Sequence, residues 1–252
     1  MSEQALRKKI SFPKAIQAVK VLLKDKEDTS QVFRIVEALT GSSFVRPYRR
    51  FRRSGVGARV LLERSDLVDV LQDQNRLREC PPDSLGAAYL AFVYDEGLSA
   101  DGLVEASEAG RRSISDPDAE RFVNRVRDMH DLWHITTGYG RDGLGELALL
   151  SFSTAQIWNP GIAFIVLVGL FKTRRETPQL PGMRAVIEGY LHGKMALWLP
   201  KQDWEALLDL PLQEVRSMLH IRSPEIYLRA KPEAENIEAA FQEARATGQK
   251  AA

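Results

Sequence analysis

Cysteine is almost absent: Cys80 stands alone among 252 residues. A lone thiol cannot close an intramolecular disulfide, and without a CxxC pair there is no zinc knuckle. A reducing compartment and a structural cysteine follow. Long apolar runs are missing too. The longest, IAFIVLVGLF at 162–171, would span about 15 Å as a helix, half the thickness of a bilayer core, which excludes a transmembrane helix. Neither sign of charge dominates. Lys and Arg number 35 against 34 Asp and Glu, a formal net charge of +1, so no overall field draws the chain to nucleic acid and no such partner is expected. Period-two alternation is scarce, and no internal repeat is present. The N-terminal stretch MSEQALRKKISFPKAIQAVK has Glu3 early, no apolar core and no small-residue cleavage site. That argues against a secretory signal and for a bacterial-type cytoplasm.

What is there is helical. Hydrophobic residues make up 44% of the chain, enough for one substantial core. Ile16, Val19, Leu22 and Leu23, then Val32, Ile35, Val36 and Leu39 before Gly41, predict two helices joined near KDKEDTS. RPYRRFRR at 46–53 interleaves Tyr48 and Phe51 with arginines. It could hold an anionic headgroup or a nucleic-acid backbone, or be a solvated connector between helices. Val60, Leu61, Leu67, Val68 and Leu71 predict one further helix, and the start signal Pro81-Pro82-Asp83-Ser84 another. Asp116-Pro117 opens a helix whose apolar stripe runs through Phe122, Val126, Met129 and Trp133. IAFIVLVGLF reads as a buried core helix. The alternative is a helix dipping into one leaflet, with Lys172, Arg174 and Arg175 at the headgroups. The fold class is therefore all-α: one domain over 1–230 of about seven to ten helices with a metal site between two of them, then a charged tail at 231–252, frayed or flexible.

The chemistry-bearing stretch is His130-Asp131-Leu132-Trp133-His134, followed by ITTGYGRDGLG and Glu146. On a helix each residue advances about 100° and 1.5 Å, so His130 and His134 lie about 6 Å apart on one face with Asp131 beside them. Glu146 comes twelve residues after His134, about 18 Å further along an unbroken helix, too far to share an ion. The chain must turn back, and Gly138, Gly140, Gly143 and Gly145 supply the turn. Imidazoles and carboxylates without thiolate suit zinc, iron, manganese or cobalt, and leave positions open for chemistry. The competing reading is a His pair hydrogen-bonded in a polar patch. A zinc-peptidase HExxH would need Glu where Asp131 stands. A His-Asp phosphohydrolase would need further histidine ligands, and His192 and His220 look like ordinary helix positions.

His130-Asp131-x-x-His134, eleven intervening residues and Glu146 resemble the signature of the coenzyme Q (ubiquinone) biosynthesis protein 4 family. CPPDSLGAAYLAFVYDEGL before it, GELALLSF after it and DWEALLDLPLQEVRSMLHI near the end resemble family segments in the same order, over roughly residues 75–222. The resemblance implies an all-helical fold, metal ligation and catalysis by His130, Asp131, His134 and Glu146, and a role in ubiquinone assembly. It also implies peripheral association with the inner face of the cytoplasmic membrane. The implied reaction is oxidative decarboxylation at ring carbon C1 of a polyprenylated hydroxybenzoate: the carboxylate leaves as carbon dioxide and a hydroxyl replaces it. Zinc is the divalent ion the resemblance favours, with iron, manganese and cobalt open. Expected partners are that substrate, a membrane surface, other ubiquinone biosynthesis proteins and a second copy of the chain in a homodimer. Arg141 and the arginines from Arg46 to Arg53 would orient a carboxylate or headgroup. The opposing class is a non-catalytic lipid-binding scaffold organising a membrane-associated quinone biosynthesis complex. It is motivated by the apolar helices, the basic patch and the lack of an obvious general base.

Overall fold

A computed structural model describes residues 2–22, 29–95 and 114–246; Leu23, the KDKED part of the KDKEDTS junction and residues 247–252 lie outside them. Among the described residues the fold is all-α, with fifteen α-helices and no strand. The N-terminal group comprises α1 (Ser2–Ala5), α2 (Phe12–Leu22), α3 (Thr29–Leu39) and α4 (Val45–Arg52). Four short helices follow: α5 (Gly55–Glu63), α6 (Leu67–Gln72), α7 (Gln74–Arg78) and α8 (Leu85–Leu90), the last passing into a π-helical turn at Ala91–Asp95. The long central helices are α9 (Pro117–Thr137), α10 (Gly143–Gln156), α11 (Pro160–Glu176) and α12 (Gly182–Met195). Then come α13 (Trp204–Leu207), α14 (Leu212–Met218) and α15 (Glu225–Ala246).

The helix count exceeds the seven to ten expected because polar residues cut apolar runs short. The run through Val60 and Leu71 is two helices, not one, because Arg64 takes a left-handed φ of 56° at the end of α5; a further short helix, α7, follows, its Asp73 cap accepting the Arg76 N–H. Start signals work as expected. The Asp116 side chain accepts the Ala119 N–H with Pro117 in the first turn of α9, and Ser84 and Asn159 cap α8 and α11.

RPYRRFRR is not a connector between helices, and its five arginines are exposed. It forms α4, and Tyr48 and Phe51, three apart and so on one face, are buried against Phe122 of α9 at centroid distances of 5.7 and 5.1 Å. Its arginines are partly engaged: Arg49 pairs with Glu3, and Arg50 lies 4.1 Å over the Trp198 ring. The main core lies between α9, α10, α12 and the C-terminal helices, and includes Met129, Leu132, Trp133, Leu149, Phe152, Trp204 and Tyr227. There α12 crosses α10 so closely that Gly189 rests on the Ala148 carbonyl. The expectation of a buried core helix at IAFIVLVGLF is overturned. Only Gly161 and Val166 of α11 are buried, while Leu167 and Phe171 are 65% and 68% exposed. Phe164 and Ile165 take the side that packs on α2 and α3, and a uniformly apolar helix carries no mark of which side that will be. The stretch from 231 continues α15 to Ala246, with Ala234 buried in the core.

Candidate metal centre

The centre is built at the junction of α9 and α10. Gly138 ends α9 with φ 82°, a conformation in which a side chain would be strained, and its N–H donates to the His134 carbonyl. Asp142 then starts α10 by accepting the N–H groups of Leu144 and Gly145. Of the four glycines expected to make the turn, only Gly138 has left-handed backbone; Gly143 and Gly145 already belong to the first turn of α10. The reversal brings Glu146 back over the last turns of α9.

His130, His134 and Glu146 each offer a donor atom within 4.8 Å of the others. The two Nε2 atoms are 3.1 Å apart. Glu146 Oε1 is 3.2 Å from His134 Nε2, and Oε2 is 3.7 Å from His130 Nε2. The His134 side chain is 1% exposed, whereas His130 and Glu146 open to solvent at 27% and 38%. His134 donates its Nδ1–H to the Tyr139 carbonyl at 2.9 Å, which leaves the Nε2 lone pair directed at the other two donors. A lone pair facing a carboxylate needs positive charge between them, either a proton or a metal ion. Proton uptake leaves its mark on the ionisations. Burial opposes charge on His134, but the adjacent Glu146 carboxylate outweighs it and raises the imidazole pKa. Burial likewise works against ionised Glu146, and His134 reverses it, lowering the carboxyl. His130 is lowered by burial and then by the His134 charge. The donor set also fits a metal ion. The 3.1 Å between nitrogens suits two imidazoles on one ion, since metal–nitrogen bonds run about 2.0–2.1 Å. A hydrogen-bonded His pair alone has no need of the third donor.

Asp131 is not brought into this cluster. Consecutive residues diverge by about 100° around a helix, and its carboxylate instead lies 3.9 Å from Arg141. It still adds negative charge felt by both imidazoles. The Arg141 guanidinium lies 3.8 Å over the Phe92 ring, and Phe92 in turn faces His134 at 5.5 Å. The arginines from Arg46 to Arg53 belong to α4 and its C-cap, and the aromatic face of that helix packs on Phe122, eight residues and about 12 Å up α9 from His130. Sequence reasoning missed Phe92, the Tyr139 carbonyl, Asp142 and Tyr227. Only Asp142 carried a local signal, as the cap residue directly before GLGELALL.

Comparison with known proteins now bears on this geometry. Residues 10–225 match the family model described as coenzyme Q (ubiquinone) biosynthesis protein Coq4. The chain belongs to the Coq4 family. Among curated relatives, the bovine mitochondrial ubiquinone biosynthesis protein COQ4 homolog is 27% identical over 175 residues, 69% of this chain and 64% of the relative. The mitochondrial ubiquinone biosynthesis protein COQ4 of Podospora anserina is 30% identical over 194 residues, 74% of this chain and 62% of the relative. The chain thus spans a little over three fifths of these relatives. A Nostoc punctiforme crystal structure, described as that of a "putative ubiquinone biosynthesis protein", shares this fold at TM-score 0.59 and 20% identity, covering 85% of this chain and 100% of that one. The curated relatives are named as mitochondrial. Among the described residues here, no helix is long and apolar enough to cross a membrane.

Proposed function

We propose that this Coq4-family chain acts in ubiquinone biosynthesis as a metal-dependent enzyme, removing the C1 carboxylate of a polyprenylated hydroxybenzoate and placing a hydroxyl there. The observation that carries the reading is the convergence of His130, His134 and Glu146, with the His134 ring held by the Tyr139 carbonyl. A divalent ion held by these three, with zinc, iron, manganese and cobalt all compatible, would supply Lewis acidity and a template for the ring substituents. The net change balances with dioxygen as oxidant: aryl carboxylic acid, water and dioxygen give phenol, carbon dioxide and hydrogen peroxide. Arg141, which stacks on Phe92 and lies 3.9 Å from Asp131, would pair with the substrate carboxylate. Apolar side chains left exposed support a prenyl tail and a membrane surface as partners: Leu167 and Phe171 on α11, and Met183, Ile187 and Leu191 on α12. Other quinone-pathway proteins and a second copy of the chain belong to the same proposal.

The test is metal analysis of wild type and His134→Ala, followed by aerobic incubation of each with a polyprenyl hydroxybenzoate and each candidate ion. About one ion per chain, lost in the variant, with metal-dependent release of carbon dioxide, is expected. A folded wild type that retains no metal and releases none of the carboxyl carbon would sink the enzyme and favour the lipid-binding scaffold.

A further inference from the structure

The peptide between Tyr139 and Gly140 is held at both ends. Its carbonyl accepts the His134 Nδ1–H at 2.9 Å, and its N–H donates at 2.9 Å to the phenol oxygen of Tyr227. That hydroxyl in turn donates to Oδ2 of Asp142. The other oxygen of Asp142 accepts the N–H groups of Leu144 and Gly145, each at 3.1 Å, where α10 begins. One side chain from α15 therefore ties together the two segments that present the donors. Tyr227 is itself rigidly placed. It is fully buried, its ring meets Tyr139 at 5.5 Å, and Glu188 of α12 accepts the N–H groups of Ile226 and Tyr227 at 2.9 and 3.3 Å. Burial, and then the Asp142 carboxylate, push its pKa up, so the phenol keeps the proton it donates. Tyr227 lies two positions beyond the stretch that matches the family model.

We propose that the Tyr227 hydroxyl is a positioning residue for the metal centre, fixing His134 through the 139–140 peptide and Glu146 through Asp142. The inference rests on the metal reading above. A peptide unit is planar and turns as one body, so an anchor on its N–H also fixes its carbonyl. Without the hydroxyl the unit is free to tilt, and the oxygen that aims the His134 ring moves with it. Partners that orient a ligating imidazole from behind are typically worth 10–100-fold in metal affinity.

Cobalt(II) titrated into metal-free, full-length protein tests this, read by the visible absorption of the bound ion and by the Tm of each metal-free form. Tyr227→Phe keeps the ring and loses only the hydroxyl; its cobalt affinity should fall roughly tenfold, with a changed absorption band. Ile226→Ala removes packing from the same helix without touching the loop, and should lower Tm while leaving the affinity unchanged. Should Tyr227→Phe fail to fold, Gly140→Ala takes its place, since its methyl would overlap the Tyr227 hydroxyl and should weaken binding in the same way. Wild-type affinity in the hydroxyl-directed variants, or an equal loss in Ile226→Ala, overturns the positioning role and leaves the metal site standing. Wild type that binds no cobalt overturns the metal reading and this inference with it.

Discussion

Gly189→Ala sets two effects of known size against each other. A methyl built on Gly189 would overlap the Ala148 carbonyl oxygen and lie 3.2 Å from its carbon and 3.5 Å from its Cα. All three atoms are backbone inside α10, so no side-chain rotation relieves the clash and the helices must separate. Replacing glycine by alanine in a helix interior ordinarily gains about 1 kcal/mol. Forcing an extra carbon into a packed contact costs about 1–3 kcal/mol, and overlap with a carbonyl lies at the upper end. The clash wins by about 2 kcal/mol, a Tm fall of roughly 4–8 °C in a chain of this size. Gly55, first residue of α5, is the control: nothing lies within 4 Å of its added methyl, and Gly55→Ala should stabilise by up to about 1 kcal/mol. Urea and thermal unfolding of both variants without metal decide the matter. Since Ala148 follows Glu146 by two positions, Gly189→Ala should also weaken cobalt binding. A Gly189→Ala protein as stable as wild type, or a Gly55→Ala protein equally damaged, would refute the close-approach argument.

Metal affinity should fall as pH drops from about 8 to about 5, because protons compete for both imidazoles and for Glu146. A flat profile by competitive titration would remove the histidines from the ligand set. The metal-free protein should show the reverse trend in stability. Glu146 raises His134 above its ordinary 6.5, so the stabilisation is complete below 6.5 and fades as pH rises through the raised value. The stability gap between metal-free wild type and Glu146→Gln should therefore narrow as pH rises above 6.5; a widening gap in urea unfolding would contradict the ion pair. Away from the centre, buried Arg125 makes bonds of 2.6 and 2.7 Å to Glu205 and one of 3.2 Å to the Gln202 carbonyl. Glu205→Ala should cost about 3 kcal/mol by stranding that charge, and the double variant Arg125→Met, Glu205→Met should recover most of it. A double variant no more stable than the single one would show that the cost lies elsewhere.

What could be read from the sequence was whatever is local along the chain. His130 and His134, four apart, share a helix face, and the break before Glu146 was visible because a straight helix could not have brought it back. Asp131 lies outside the cluster of three because the two histidines define an arc that its azimuth leaves, and Arg141 gives its carboxylate a partner. The aromatics of α4 were legible in principle, since Tyr48 and Phe51 are spaced to point one way, but the arginines around them obscured the face. In α11 the opposite holds: every position is apolar enough to be buried, so only its neighbours decide which ones are. Tyr227 carried no signal at all. Its partners lie more than eighty residues away, and nothing in the first turn of α15 marks a tyrosine as the one that reaches back.

That separation along the chain has a consequence in time. All three residues fall within 130–146, joined by the short connection 138–142, so bringing them together closes only a small loop. The hydroxyl behind it arrives 85 residues after Asp142, an interval on the order of ten seconds at ordinary rates of synthesis. Through that interval the 139–140 peptide has no Tyr227 hydroxyl to receive its N–H. If the three side chains hold an ion, one bound in that interval would meet a peptide that Tyr227 has not yet anchored.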